Sequence, residues 1–200
     1  MIESILAGLA ATTPAEGVAV VLGLAYSFLA IKRSRWCWVA GGIGSAIFVY
    51  LAWRSKLPMQ AALQGYYVFM SVYGFWRWSK EQGEGTQAVS TLPVTQHLLA
   101  LAVILIASAI SSHFLAGQTQ AAWPFLDSFT TWGSLFATWL VAQVKLENWL
   151  YWIVFDAISM FLFAAQGLMF AALLFAIYLI VAAVGFVSWF RTRRTQAQPT

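Results

Sequence analysis

The sequence holds seven apolar runs, each near the roughly 17–25 residues needed to cross a bilayer. They are Ala15–Ile31, Trp36–Trp53, Met59–Trp78, Gln96–Ala116, Phe125–Val144, Asn148–Ala165 and Leu168–Phe190. Only 9% of the 200 residues are charged and 61% are hydrophobic. A water-soluble domain carries about a quarter charged residues, so lipid must cover most of this chain's outer surface. The expected fold is therefore all-α and polytopic, a single membrane domain over residues 1–200. Residues 1–13 are too short to span alone, and residues 191–200 read as a polar, irregular tail. The polar start, with Glu3 and Thr12–Thr13–Pro14, does not read as a cleavable leader.

The basic residues set the expected orientation. With seven spans, Lys32, Arg33, Arg35, Arg77, Lys80, Lys145, Arg191, Arg193 and Arg194 fall on one side, and Arg54 and Lys56 on the other. This bias places the C-terminus in the cytoplasm and the N-terminus outside. It also accounts for the net charge of +4 without a nucleic-acid partner.

The chain matches itself. Lys32-x-x-x-Trp36 resembles Lys145-x-x-x-Trp149, and Gly74-Phe75-x-x-Trp78 resembles Gly185-Phe186-x-x-Trp189. Leu63 and Tyr67 match Leu174 and Tyr178 at the second of these spacings, so the pairing implies a two-residue deletion between the two. The expectation is a three-helix unit over 15–78, a linking helix over 96–116 and a second unit over 125–190, with both units inserted the same way. Such parallel repeats hold substrate between them near the midplane.

Within the sixth run Trp149, Trp152, Asp156 and Ser159 share one helical face. A charged residue at mid-span costs about 2.5–3.5 kcal/mol on insertion scales, so Asp156 must face a cavity or a partner. It either holds a cationic or hydrogen-bonding substrate or bonds a polar side chain on a neighbouring helix. Trp152 reads as a cavity-facing ring, and Trp149 as either a site ring or an interfacial anchor. In the third run Gln64, Tyr67, Ser71, Phe75 and Trp78 form a stripe, with Gln64 and Ser71 open to substrate or to interhelical bonding. In the fifth, Asp127, Thr131, Ser134 and Thr138 share a face; Asp127 reads as a helix-start acid, and the hydroxyls as path-lining or backbone-bonded. Gln143 and Gln166 lie nearer helix ends, while Gly41, Gly42 and Gly44 read as close-packing positions. Cys37 has no disulfide partner. The sequence has no phosphate-binding loop, nucleophile elbow or metal-spaced His set, and no cofactor is expected.

Several of these stretches resemble the PnuC family of vitamin transporters. They are Trp36-Cys37-Trp38, Leu63-Gln64, Tyr73-Gly74-Phe75-Trp76-Arg77-Trp78, Trp123-Pro124-Phe125-Leu126-Asp127-Ser128-Phe129, and Glu147-Asn148-Trp149-Leu150-Tyr151-Trp152 continuing to Ala165-Gln166-Gly167-Leu168. The resemblance implies seven helices arranged three, one and three, similar to a full-length version of the SWEET sugar-transporter fold, and trimers, which are known in the family. It implies a bacterial inner-membrane protein, not an enzyme, carrying nicotinamide riboside by facilitated diffusion, with a cytoplasmic kinase trapping the vitamin. Thiamine is the alternative substrate; riboflavin is carried by other relatives. Nicotinamide riboside members often place Asn on inward faces where this chain has Gly44 or Ser45, Ser71 and Asp156. On this reading Trp152 and Trp149 stack on the ring, and Asp156, Gln64 and Ser71 supply polar contacts, with Tyr67 and Thr131 beside them. The rival readings are a non-transporting membrane receptor and a membrane enzyme.

Overall fold

In the computed structural model, which describes residues 2–56, 58–83, 88–116 and 123–197, the described residues form eight helices. They are α1 (Ile2–Ala11), α2 (Pro14–Ile31), α3 (Trp36–Arg54), α4 (Pro58–Gly83), α5 (Val94–Ala116), α6 (Pro124–Ala142), α7 (Asn148–Ala165) and α8 (Met169–Gln196). The expected seven-helix, three-one-three arrangement does not survive this count. The opening residues, too short to span, nevertheless make a helix of their own. Thr12 and the Thr13–Glu16 capping box then break the chain and restart it as α2, with Pro14 at the first helical position.

Five of the described helices, α2, α3, α5, α7 and α8, are long and apolar enough to cross a membrane. The helices α4 and α6 have comparable length but carry Gln64, Ser71 and Arg77, and Asp127, Thr130, Ser134 and Thr138, respectively. They pack on each other, so many of these polar groups can turn inward. The order of packing closes a ring: α3 lies between α2 and α4, α4 meets α6, α6 meets α7, α7 meets α8, and α8 returns to α2. Outside the ring, α5 rests on α6 and α1 on α8.

Two helix ends outlast their expected boundaries. The helix α4 runs past Trp78 to Gly83, and α8 continues to Gln196 where an irregular tail was expected. Neither stretch holds a breaker, and Arg193 and Arg194 in the last turn of α8 complement its dipole. Elsewhere the stops are sharp. Arg33, Val144 and Gly167 adopt positive φ after α2, α6 and α7. Each is followed by a closing bond: Ser34 N–H to Leu29 O, Lys145 N–H to Leu140 O, and Leu168 N–H to Phe163 O.

The loops expected to be basic do gather at one end. The segment 88–92 lies across it as a strap. Ser90 pairs with Val144 and Leu146 through backbone bonds, Lys145 Nζ donates to Ser90 Oγ, Leu92 N–H donates to the Glu147 carboxylate, and Val89 N–H to Gln196. Beneath the strap four tryptophans fill the ring. Trp38 meets Trp78 edge-on at 5.5 Å, Trp149 meets Trp189 at 5.5 Å, and Trp78 lies 6.4 Å from Trp189. The contacts recur in the two halves: Trp38 packs on Gly74 as Trp149 packs on Gly185. One spacing relates Trp38 to Trp149, Gly74 to Gly185, Trp78 to Trp189 and Tyr67 to Tyr178. This corrects the sequence match of Trp36 with Trp149. Trp36 is 56% exposed and Trp149 only 4% exposed, and no deletion is needed.

Candidate functional site

Asp156 lies in the middle of α7 and is 6% exposed. Its neighbours come from across the ring. Tyr67 of α4 and Tyr178 of α8 both lie close enough to feel its charge. The Tyr67 side chain sits beside Ser134 of α6. The Tyr178 hydroxyl reaches α2 at Gly23, where an added Cβ would stand 2.5 Å from it. Four helices and a glycine on a fifth therefore converge on one carboxylate.

The local reasons are plain. Seven residues separate Asp156 from Trp149, which keeps both on one face of α7. Gly23 removes the side chain that would otherwise exclude the Tyr178 hydroxyl. Gly133 does the same for the Phe155 ring, letting α7 close against α6. No ion pair or hydrogen bond to the Asp156 carboxylate forms among the described residues. The alternative in which Asp156 merely bonds a polar side chain on a neighbouring helix thus finds no such bond. A buried carboxylate without a protein cation is costly unless a ligand cation or a proton supplies the charge.

The other expected site residues divide. Tyr67 stands at the centre beside Asp156. Ser71 is buried, gives its hydroxyl to the Tyr67 carbonyl one turn back, and packs against Gly42, so it faces α3. Trp152 is partly buried against the central apolar cluster. Trp149 lies in that cluster, packed on Gly185 and Trp189, with its indole N–H unpartnered. Gln64 and Thr131 are half-buried on α4 and α6, the two polar helices that face each other. Of the α6 hydroxyls, Thr138 bonds its own helix at Ser134 O, as does Thr130 at Asp127 O, whereas the Ser134 side chain sits beside Tyr67. Gln143 donates to the Tyr73 hydroxyl at 2.9 Å and ties α4 to the end of α6.

Tyr178, Gly23 and Tyr26 were not singled out as site residues. Tyr26 packs edge-on to Trp38 at 5.7 Å and over Gly41, and its buried hydroxyl has no partner. The signal for Tyr178 is present in the sequence, since it matches Tyr67 at the spacing that pairs Trp78 with Trp189. Gly23 and Tyr26 lie in an apolar run where neither stands out by spacing.

The match to known proteins spans this whole arrangement. A family model described as nicotinamide mononucleotide transporter covers residues 13–191. The nicotinamide riboside transporter PnuC of Escherichia coli is 25% identical over 205 residues, covering 90% of this chain and 86% of that one. The riboflavin/roseoflavin transporter RibM of Streptomyces davaonensis is 22% identical, covering 90% and 85%. A crystal structure of the vitamin B3 transporter PnuC shares the fold at a TM-score of 0.71 and 24% identity, over 92% of this chain and 83% of that one. A chain with five described helices long and apolar enough to cross a membrane, and a family match that runs almost end to end, is a multi-pass membrane protein, and it belongs to the nicotinamide mononucleotide transporter family.

Proposed function

We propose that this protein takes up nicotinamide riboside across a bacterial inner membrane, with the N-terminus outside and the basic loops in the cytoplasm. The observation that carries the reading is Asp156, buried to 6% exposure with no protein cation beside it among the described residues. Nicotinamide riboside brings a fixed positive charge on a flat aromatic ring. Its charge would offset the cost of the buried carboxylate, and Tyr67 and Tyr178 offer hydroxyls beside it. Cation–π attraction to tryptophan, up to about 2 kcal/mol when desolvated, supports a role for Trp152.

Transport is facilitated diffusion in this account. The substrate supplies the charge that Asp156 needs, so no coupling ion is required for binding. Phosphorylation by a cytoplasmic kinase would keep the product inside.

Thiamine is the second reading, because it too is a flat aromatic cation. The same carboxylate argues against riboflavin, whose ring is uncharged at neutral pH. The test is competition for uptake of labelled nicotinamide riboside into liposomes holding the purified protein. Unlabelled nicotinamide riboside should compete best and riboflavin least. Stronger competition by thiamine would transfer the assignment to thiamine, and equal competition by riboflavin would remove the charge argument.

A further inference from the structure

At the end of the ring opposite the tryptophans, α6 and α7 part around a cavity of about 220 Å³. Trp123, Asp127 and Thr130 line it from α6, and Ser159 and Gln166 from α7. Asp127 lies in the first turn of α6, where an acid suits the helix dipole as expected, and it also lines this cavity. The cap residue of α6 is Trp123, with no side-chain cap bond, and Thr130 gives its hydroxyl to the Asp127 backbone carbonyl rather than to the carboxylate. No ion pair to the Asp127 carboxylate forms among the described residues.

The cavity is aligned with the central site. On α7, Ser159 stands one turn from Asp156 on the same face. On α6, Asp127 and Ser134 are seven residues apart on one face, about 10 Å along the axis. Ser134 sits beside Tyr67 at the central carboxylate. Two polar stripes therefore run together from the cavity to Asp156, with one carboxylate at each end. The Trp123 ring, 37% exposed, borders the cavity and meets Phe161 at 5.7 Å. Gln166 donates its amide N–H to Leu162 O, which leaves its carbonyl oxygen to accept from a hydroxyl or an amide.

We propose that this cavity is an outer loading site, where a flat aromatic cation rests between Asp127 and Trp123 before it moves to Asp156. The inference rests on the cationic-substrate reading above. A carboxylate in an open cavity gives a weak, salt-sensitive site, suited to capture and quick release.

The test is initial-rate uptake of labelled nicotinamide riboside into right-side-out membrane vesicles carrying the full chain, at low ionic strength. Asp127→Asn should raise KM about five-fold and leave Vmax within a factor of about two. Asp127→Glu should restore KM. The uncharged dihydro form of nicotinamide riboside, a weak competitor on the same charge argument, should show the same inhibition constant against wild type and Asp127→Asn. An unchanged KM in Asp127→Asn, or a loss confined to Vmax, overturns the loading site while leaving wild-type uptake and the transport reading intact. Absence of uptake by the wild-type protein overturns both.

Discussion

The Trp189 indole N–H donates to the Ile31 carbonyl at 3.0 Å, joining the end of α8 to the end of α2 across 158 residues of chain. Its counterpart, Trp78, donates to the Ala142 carbonyl at 3.2 Å and joins α4 to α6. Each bond satisfies a carbonyl in the last turn of a helix that is followed, two residues on, by a positive-φ residue, Arg33 or Val144. The two seams at which the ring closes, α2 with α8 and α4 with α6, are thus pinned by the same residue type in the same way.

Replacing either tryptophan should loosen its seam. Trp189→Phe removes a buried donor and part of a ring, at a cost of about 1–3 kcal/mol. Thermal unfolding of the detergent-purified protein should show a lower midpoint, and Trp78→Phe should behave alike. A midpoint unchanged in both variants would mean that these bonds do not hold the ring.

Gly74 and Gly185 should not tolerate alanine. A Cβ at either would enter the ring of Trp38 or Trp149, both fixed in the packed cluster. Overpacking of this kind costs about 1–3 kcal/mol. Gly65, on the same helix as Gly74, has open space where a Cβ would go, so Gly65→Ala serves as the neutral comparison. Unfolding midpoints of the three variants decide the matter.

The close approach of Tyr178 to Gly23 predicts a coupled pair. Gly23→Ala should reduce uptake, because its methyl would occupy the place of the tyrosine hydroxyl. Tyr178→Phe removes that hydroxyl, so the double variant should recover part of the loss. The coupling should lie near 1 kcal/mol in a double-mutant cycle of uptake efficiency. Additive losses would show that the two residues act separately.

Much of this was legible in the sequence because lipid enforces simple rules. An apolar run of adequate length with few charges must be a helix, and Lys and Arg collect on one side. Asp156 stood out for the same reason, as a charge where none is cheap. The extra helix α1 escaped because its ten residues are too short to span and its composition alone does not say that it folds. The extension of α8 escapes because polar residues after an apolar run give no sign of whether the helix continues past the membrane. Trp149 shows the limit of helical-face reasoning. It shares a face with Asp156, but Gly185 on α8 opens a slot that draws its ring into the core. Which side chains meet across the ring depends on such glycines, and spacing along one helix does not reveal them.

The central claim is that Asp156 holds the positive charge of the substrate. The measurement that tests it most directly is equilibration of labelled nicotinamide riboside into liposomes without an ion gradient, comparing wild type with Asp156→Asn. Asparagine keeps the shape and removes the charge, so uptake efficiency should fall by about 30-fold or more, the equivalent of about 2 kcal/mol. Saturable wild-type equilibration with that loss is the predicted result. Equal equilibration by the two proteins would contradict it and leave the buried carboxylate with no part in binding.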